Sequence, residues 1–452
     1  MNKLNNTWPS ELFVFRGDTP EAARALMQKV KALYGGNDTL GVRDVAYSLS
    51  IYSDEQIHFV IVAGDRDDFL ARLDAAINNE DDENVYSLQR IEGKVAFLFP
   101  GQGSQRVNMA ADLFALFPQM RRLLDEYPLY QWLLFPDAVT DEVQTTQQST
   151  PTGTPSTPVG APSDITDTRN AQPLLGIVDF AIAELLRDLG VDADMAAGHS
   201  YGELPALCFA EALDAGELVD LSRKRAESIL AAVGDDPGRM LAVHADINAL
   251  RGSLEGETEV WAVNFNAPRQ TVVAGTSAGV EAFGKKLKTA GLAYSPLKVA
   301  CAFHSPLLAR AEEIFASVLK EVTFSKPTLP VWSNTTAKIY PQTAAAIRDR
   351  LAKHLVSPVR FREEAEQMYA DGARIFIEAG PGKVLTDLVA KNLSDREIVV
   401  IQTERKGVEG LSYLLCSLAK YIATGREINL EKLFEGREAQ PLNLDALGVS
   451  AR

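Results

Sequence analysis

The run Val95-Ala96-Phe97-Leu98-Phe99, closed by Pro100-Gly101-Gln102-Gly103, constrains this chain more than any other segment. A strand apolar on both faces must be covered on both faces, and such runs belong to parallel sheets flanked by helices. An α/β fold follows. Two further strand-like segments, 330–333 and 375–378, fit the same sheet, the second running into Gly380-Pro381-Gly382. A helix is expected over 172–189, stopped by Gly190, and another over 408–424, where Leu411, Leu414, Leu415, Leu418 and Ile422 form one stripe.

Gly198-His199-Ser200-Tyr201-Gly202 fits G-x-S-x-G after the short apolar run Met195-Ala196-Ala197. It precedes a helix-like stretch with Pro205 in the first turn, where a missing N–H costs nothing. A serine on a tight strand-to-helix turn stands out from the sheet edge, and flanking glycines let neighbouring backbone pass without Cβ clashes. The helix N-terminus adds backbone N–H groups where an oxyanion would develop. A serine hydroxyl also needs a base. His199 is adjacent in extended chain, so its side chain should point away and pack beneath the turn. His304, in Cys301-Ala302-Phe303-His304-Ser305-Pro306, lies where the chain returns to the large sheet. Residue type alone makes it more often a packing histidine than a base.

Between these motifs the pattern changes. Strands at 240–244, 259–263, 270–274 and 294–299 alternate with helices at 247–254 and 280–290, the βαββαβ order of a ferredoxin-like unit. At the N-terminus, strand 12–15, helix 21–34, strand 57–63 and helix 67–77 precede the acidic stretch Asn79-Glu80-Asp81-Asp82-Glu83-Asn84, which reads as a solvated linker. With 452 residues, too many for one core, the expected division is as follows. A small α/β linker domain spans 1–92, and an α/β-hydrolase-like large subdomain spans 93–237 and 300–405. An inserted ferredoxin-like small subdomain occupies 238–299, and 406–452 form a final helix with a tail along the surface. Residues 141–170, rich in Thr, Pro and Ser, cannot bury a core and are expected to form a mobile insertion.

With 45 Lys and Arg against 61 Asp and Glu, the formal charge of −16 repels nucleic acid and anionic membrane surfaces. No apolar run approaches the roughly 20 residues of a membrane helix. The opening residues lack a signal-peptide pattern, so a cytoplasmic location is expected. Cys208, Cys301 and Cys416 and the five histidines show no disulfide framework and no metal-ligand spacing, so no metal is expected.

From 95 to 393 the chain resembles the malonyl-CoA:acyl-carrier-protein acyltransferase family, including the acyltransferase domains of polyketide and fatty acid synthases. The resemblance is carried by Phe-Pro-Gly-Gln-Gly-Ser-Gln (99–105), Ala171-Gln172-Pro173, Gly-His-Ser-Tyr-Gly-Glu (198–203), Val-Asn-Phe-Asn-Ala-Pro (263–268), Ala-Phe-His-Ser-Pro (302–306) and Glu-Ala-Gly-Pro-Gly-Lys-Val-Leu (378–385). The N-terminal region looks like the linker joining ketosynthase and acyltransferase domains. Tyr201, Asp-Thr-Arg-Asn before Ala-Gln-Pro, and the long insertion look most like polyunsaturated-fatty-acid and enediyne synthases.

The resemblance implies a serine-ester transferase with Ser200 as nucleophile and His304 as base. It places an oxyanion hole at the backbone N–H groups of Gln102 and Tyr201. Gln172 and Glu203 would line or brace the substrate site, and Arg225 would grip the acyl carboxylate bidentately. Phe303 would crowd the α-carbon and favour malonyl over methylmalonyl, while Tyr201 would narrow the pocket or mark the subfamily. The base would be oriented by a backbone carbonyl within 357–361, expected from Arg360. No bound cofactor is implied; a coenzyme A thioester is the donor and the phosphopantetheine of an acyl carrier protein the acceptor. A ketosynthase domain is a further partner through the linker, and Lys285, Lys286 and Lys288 are a candidate basic patch for the acidic carrier or an ordinary solvated face. A thioester-editing hydrolase, an acetyl or methylmalonyl transferase and a non-catalytic docking domain stay as rivals. Arg225 speaks against a hydrolase or transferase for neutral acyl groups, and the full residue set against a docking domain.

Overall fold

The computed structural model describes residues 8–36, 39–136 and 164–444, so most of the Thr/Pro/Ser-rich segment lies outside the described residues. Strands β1 (Glu11–Arg16) and β2 (Ile57–Ala63) pair antiparallel, and β3 (Val85–Ser87) adds to β2. Helices Pro20–Gly35 and Arg66–Asn78 start where Thr19 and Asp65 accept hydrogen bonds from first-turn N–H groups. The stretch between them that carried no clear pattern is a helix, Val42–Ser50. β3 was not expected, since it is short and half-exposed and directly follows the acidic stretch.

The apolar run forms β4 (Lys94–Phe99), and β5 (Met195–Gly198) pairs with it in parallel. Next come β6 (Arg239–Val243), β7 (Val260–Ala267), β8 (Gln270–Gly275) and β9 (Tyr294–Pro296), an antiparallel sheet ordered β7-β8-β6-β9. Helices Ile247–Leu254 and Ser277–Thr289 cover one face through Leu250, Val280, Phe283 and Leu287. The other face presents Met240, Val272 and Ala274, against which Trp261 and Phe303 pack. A short hairpin of β10 (Trp332–Ser333) and β11 (Lys338–Ile339) follows, then β12 (Ala373–Glu378) and β13 (Val399–Gln402).

The central sheet is fully parallel, ordered β13-β12-β4-β5, and Val331 extends it with a parallel bridge to Ala196. The carboxyl ends at Phe99, Gly198 and Glu378, and the chain leaving Val331, therefore open toward one edge, where open α/β sheets place their sites. Helix Thr168–Asp188 backs this sheet. It begins four residues before the expected start because Asp167 caps it, its side chain accepting from the Arg169 N–H, while a polar first turn hid the onset. Residues 168–170 are thus helical rather than part of an insertion.

Helix Gly410–Ala423 buries its leucine stripe against β2 and β1 on one side and β13 on another, so one apolar core runs from the N-terminal strands into the central sheet. The tail, expected on the surface, instead buries Leu433, Phe434 and Leu444. Arg437 donates to both carboxylate oxygens of Glu11 and lies over the Trp8 ring at 3.8 Å. The N–H groups of Gln440 and Leu442 donate to Asp44 Oδ1 and Ser48 Oγ, each at 2.8 Å. Single polar anchors of this kind leave no periodic trace in a sequence.

Candidate active site

The turn after β5 has no room for side chains on its flanks. A Cβ on Gly198 would meet the Gly202 backbone, and one on Gly202 would meet the Phe99 carbonyl. The chain reverses through a left-handed Ser200 (φ 53°), an unusual conformation for a residue with a Cβ. The Ser200 N–H donates to Asn334 Oδ1 at 2.6 Å, and the Gly198 carbonyl accepts from Asn334 Nδ2 at 2.7 Å. His199 points away from the serine, as expected: its Nε2 is 2.9 Å from Asn266 Oδ1, and its ring lies 5.6 Å from that of Phe361.

Ser200 Oγ lies 2.6 Å from His304 Nε2. His304 is also left-handed (φ 59°) and is buried. Its Nδ1 is 3.0 Å from the His354 carbonyl and 3.1 Å from that of Ser357. A carbonyl can only accept, so Nδ1 carries the proton and Nε2 is left to receive one from the serine. Burial first, and the positive charge of Arg225 second, push the imidazole pKa down to about 3, so it is neutral near pH 7.

The window 357–361 expected to orient the base does supply a carbonyl, that of Ser357, but the choice of Arg360 within it is a correction, and the His354 carbonyl lies outside it. The Arg360 carbonyl already accepts the Glu364 N–H at 2.9 Å, the first bond of helix Phe361–Ala370, while its guanidinium pairs with Glu363. His354, by contrast, ends helix Ala344–His354, where carbonyls have no partner in the next turn and are free to accept from a side chain.

Around this pair the expected residues fall into two groups. Gln102 follows Gly101, which packs onto the elbow: a Cβ there would meet the His199 carbonyl and stand 3.6 Å from the Tyr201 nitrogen. The Gln102 side-chain Oε1 accepts from Thr168 Oγ1 at 2.7 Å and from Gln172 Nε2 at 3.4 Å. Gln172 Oε1 in turn accepts from Arg225 Nη1 at 3.0 Å. Arg225 is 3% exposed, and burial draws its pKa down to about 10. Phe303 is half-buried, between the main core and the open face of the antiparallel sheet. The other group points inward. The Tyr201 side chain leaves the cleft and packs between helices Thr168–Asp188 and Ala215–Ala232, over Gly176, its hydroxyl 2.7 Å from Ser222 Oγ. That Oγ donates to the Leu218 carbonyl, so the tyrosine donates to it. The Arg225 guanidinium lies 5.9 Å from the centre of the Tyr201 ring.

Glu203, expected to line or brace the substrate site, does not line it: it is fully buried beneath the elbow, in the bracing position. It accepts from the Asn334 N–H at 2.5 Å and from the Tyr340 hydroxyl, and stands 3.4 Å from His354 Nδ1. Burial raises its pKa to about 7. Asn334, Tyr340, His354 and Glu364 form this inner layer, and sequence reasoning missed all four. Asn334 had one available signal, a polar residue directly after a strand-like segment at the carboxyl edge of the sheet.

A hydroxyl touching a neutral imidazole at the carboxyl edge of a parallel sheet is the equipment of acyl transfer through serine. Residues 96–428 match the acyl transferase domain family, and the chain belongs to it. It is 37% identical over 304 residues to the malonyl CoA-acyl carrier protein transacylase of Bacillus subtilis (strain 168), covering 66% of this chain and 90% of that one. It is 34% identical over 303 residues to the malonyl CoA-acyl carrier protein transacylase of Synechocystis sp. (strain ATCC 27184 / PCC 6803 / Kazusa), covering 67% of this chain and 94% of that one. The acyl transferase domain of ZmaA superimposes with a TM-score of 0.81 at 21% identity, covering 97% of this chain and 99% of that domain, a likeness of fold.

Proposed function

We propose that the chain moves a malonyl unit from malonyl-CoA to the phosphopantetheine thiol of an acyl carrier protein, in polyketide or fatty acid biosynthesis. Ser200 Oγ attacks the thioester carbon while His304 Nε2 takes its proton, and the Gln102 and Tyr201 N–H groups receive the oxyanion. The tetrahedral adduct collapses, the C–S bond breaks, and His304 returns the proton to the coenzyme A thiolate. The malonyl-serine ester then repeats these steps with the carrier thiol in reverse, a ping-pong scheme. Arg225, steadied by Gln172, holds the malonyl carboxylate, and Phe303 borders the acyl chain and disfavours a methyl branch.

The observation that carries this reading is the 2.6 Å contact between Ser200 Oγ and His304 Nε2 on a strand-to-helix elbow. The buried Arg225 and the names of the curated relatives support a carboxylated acyl group. The antiparallel sheet and its two helices act as the ferredoxin-like small subdomain (238–299), over an α/β-hydrolase-like large subdomain (93–237 and 300–405). Residues 1–92 form the linker to a ketosynthase domain, 406–452 the closing helix and tail, and the whole acts in the cytoplasm. The basic patch loses weight as a carrier site, since Lys285 pairs with Glu281 and Lys286 with Glu257. Intact-protein mass after brief exposure to malonyl-, methylmalonyl- and acetyl-CoA tests the reading. A malonyl adduct in wild type and none in Ser200→Ala is expected. Steady release of free coenzyme A without an adduct would point to a hydrolase instead.

A further inference from the structure

The dyad is held by a third element, 134 residues from Ser200 in the chain. We propose that Asn334 is a positioning residue whose carboxamide clamps the elbow, keeping Ser200 left-handed so that Oγ meets His304 and the Tyr201 N–H faces the developing oxyanion. This rests on the reading of Ser200 as the nucleophile.

The clamp is fully specified by backbone chemistry. The Gly198 carbonyl can only accept and the Ser200 N–H can only donate, and the Asn334 carboxamide supplies one donor and one acceptor in matching places, at 2.7 and 2.6 Å. Its second Nδ2 hydrogen goes to Glu364 Oε2 at 2.6 Å. The Asn334 main chain is pinned as well, its N–H donating to Glu203 Oε1 at 2.5 Å and its carbonyl accepting from the Arg360 N–H at 3.0 Å. A fully buried side chain tied at every polar atom has one geometry, and it imposes that geometry on residues 198–200. A left-handed residue with a Cβ persists only where its surroundings over-determine it. Consuming the Ser200 N–H also directs the turn so that the next N–H, that of Tyr201, is the one presented to the cleft. Arg225 and Gln172 sit on helices Ala215–Ala232 and Thr168–Asp188 and make none of these bonds. Substrate binding should therefore survive the loss of the clamp while transfer does not.

The test is steady-state transfer from malonyl-CoA to a carrier-protein thiol by wild type, Asn334→Ala and Asn334→Asp. Asn334→Ala is expected to lower kcat about 100- to 1000-fold, the range for losing an oxyanion donor, with KM for malonyl-CoA within about threefold. Asn334→Asp separates clamping from folding. A protonated aspartic acid, O–H to Gly198 and C=O to the Ser200 N–H, reproduces both bonds to the elbow, though not the second donor to Glu364 Oε2, whereas its carboxylate turns a lone pair on the Gly198 carbonyl and sets a negative charge beside Glu364. Its kcat relative to wild type should exceed that of the alanine variant at about pH 6 and fall at least about tenfold by about pH 8.5. Alanine kcat within about threefold of wild type overturns the proposal. So does an aspartate ratio that is flat with pH and as low as that of alanine. Ser200→Ala is run alongside: an acyl adduct persisting there would sink the nucleophile assignment and not the clamp.

Discussion

Replacing Arg225 with methionine keeps an unbranched apolar stem and removes the guanidinium with its charge. Burial holds the Arg225 pKa at about 10 against an ordinary 12.5, a cost on the order of 3 kcal/mol for keeping it charged in the free enzyme. Methionine removes that cost but leaves Gln172 Oε1 without its donor, a penalty of about 1–3 kcal/mol. The two nearly cancel, so the thermal midpoint should move by only a few degrees. Catalysis should not be spared. Losing a desolvated, charge-assisted contact to a carboxylate costs about 2–5 kcal/mol, or roughly 30- to 5000-fold in kcat/KM for malonyl-CoA. Acetyl-CoA, with no carboxylate to place, should lose nothing. Quenched intact-mass kinetics with the two thioesters gives both rates in one experiment. The malonyl-to-acetyl preference should fall by at least about 30-fold. A variant that acylates from malonyl-CoA within about threefold of wild type would refute the carboxylate role of Arg225.

A Cβ added at Gly176 is placed against the Tyr201 hydroxyl, so Gly176→Ala should displace that ring, lower kcat about tenfold and destabilise the fold by about 1–3 kcal/mol. Combining it with Tyr201→Phe removes the clashing oxygen, and the double variant should match Tyr201→Phe alone in kcat and melting temperature. The active form of His304 is the neutral imidazole, and a pKa pushed down to about 3 keeps it neutral, so kcat/KM should not fall with acidity until well below pH 6.5. Because Arg225 is one of the groups lowering that pKa, Arg225→Met should shift the acid limb of the acetyl-CoA profile upward; an unmoved limb would break the link between the two. Arg437→Ala leaves the Glu11 carboxylate buried and unpaired and should cost about 3–5 kcal/mol in urea denaturation, largely recovered when Glu11→Gln is added.

What the sequence disclosed was local chemistry. The elbow at 198–202, the buried run of β4 and the βαββαβ order between 238 and 299 follow from neighbouring residues alone. Glu378, noticed only as part of a motif, accepts the N–H groups of Leu385 and Thr386 at 3.1 and 2.8 Å and starts the helix Val384–Asn392. What stayed hidden depends on contacts between distant segments. Which carbonyl would face His304 turned on where the helix ending at His354 stops, while the Arg360 carbonyl is directed along the next helix, where it accepts from the Glu364 N–H. Glu203 and Tyr201 flank the same turn yet face the interior, because a 3-10 turn from Ser200 to Gly202 rotates each residue out of the strand alternation. Thr168 began a helix behind a polar turn, and the tail after Leu433 was anchored by single residues rather than by a stripe.

The anchoring of that tail has a further outcome. Glu11 and Arg437 are 426 positions apart in the chain and in direct contact, so the described polypeptide leaves close to where it enters. A unit whose ends adjoin can be spliced between two other modules without altering their separation, and either neighbour can be exchanged while the unit keeps its shape. The same contact makes the two ends sense each other: pulling on one flank strains a buried ion pair beside Trp8 before it reaches the central sheet.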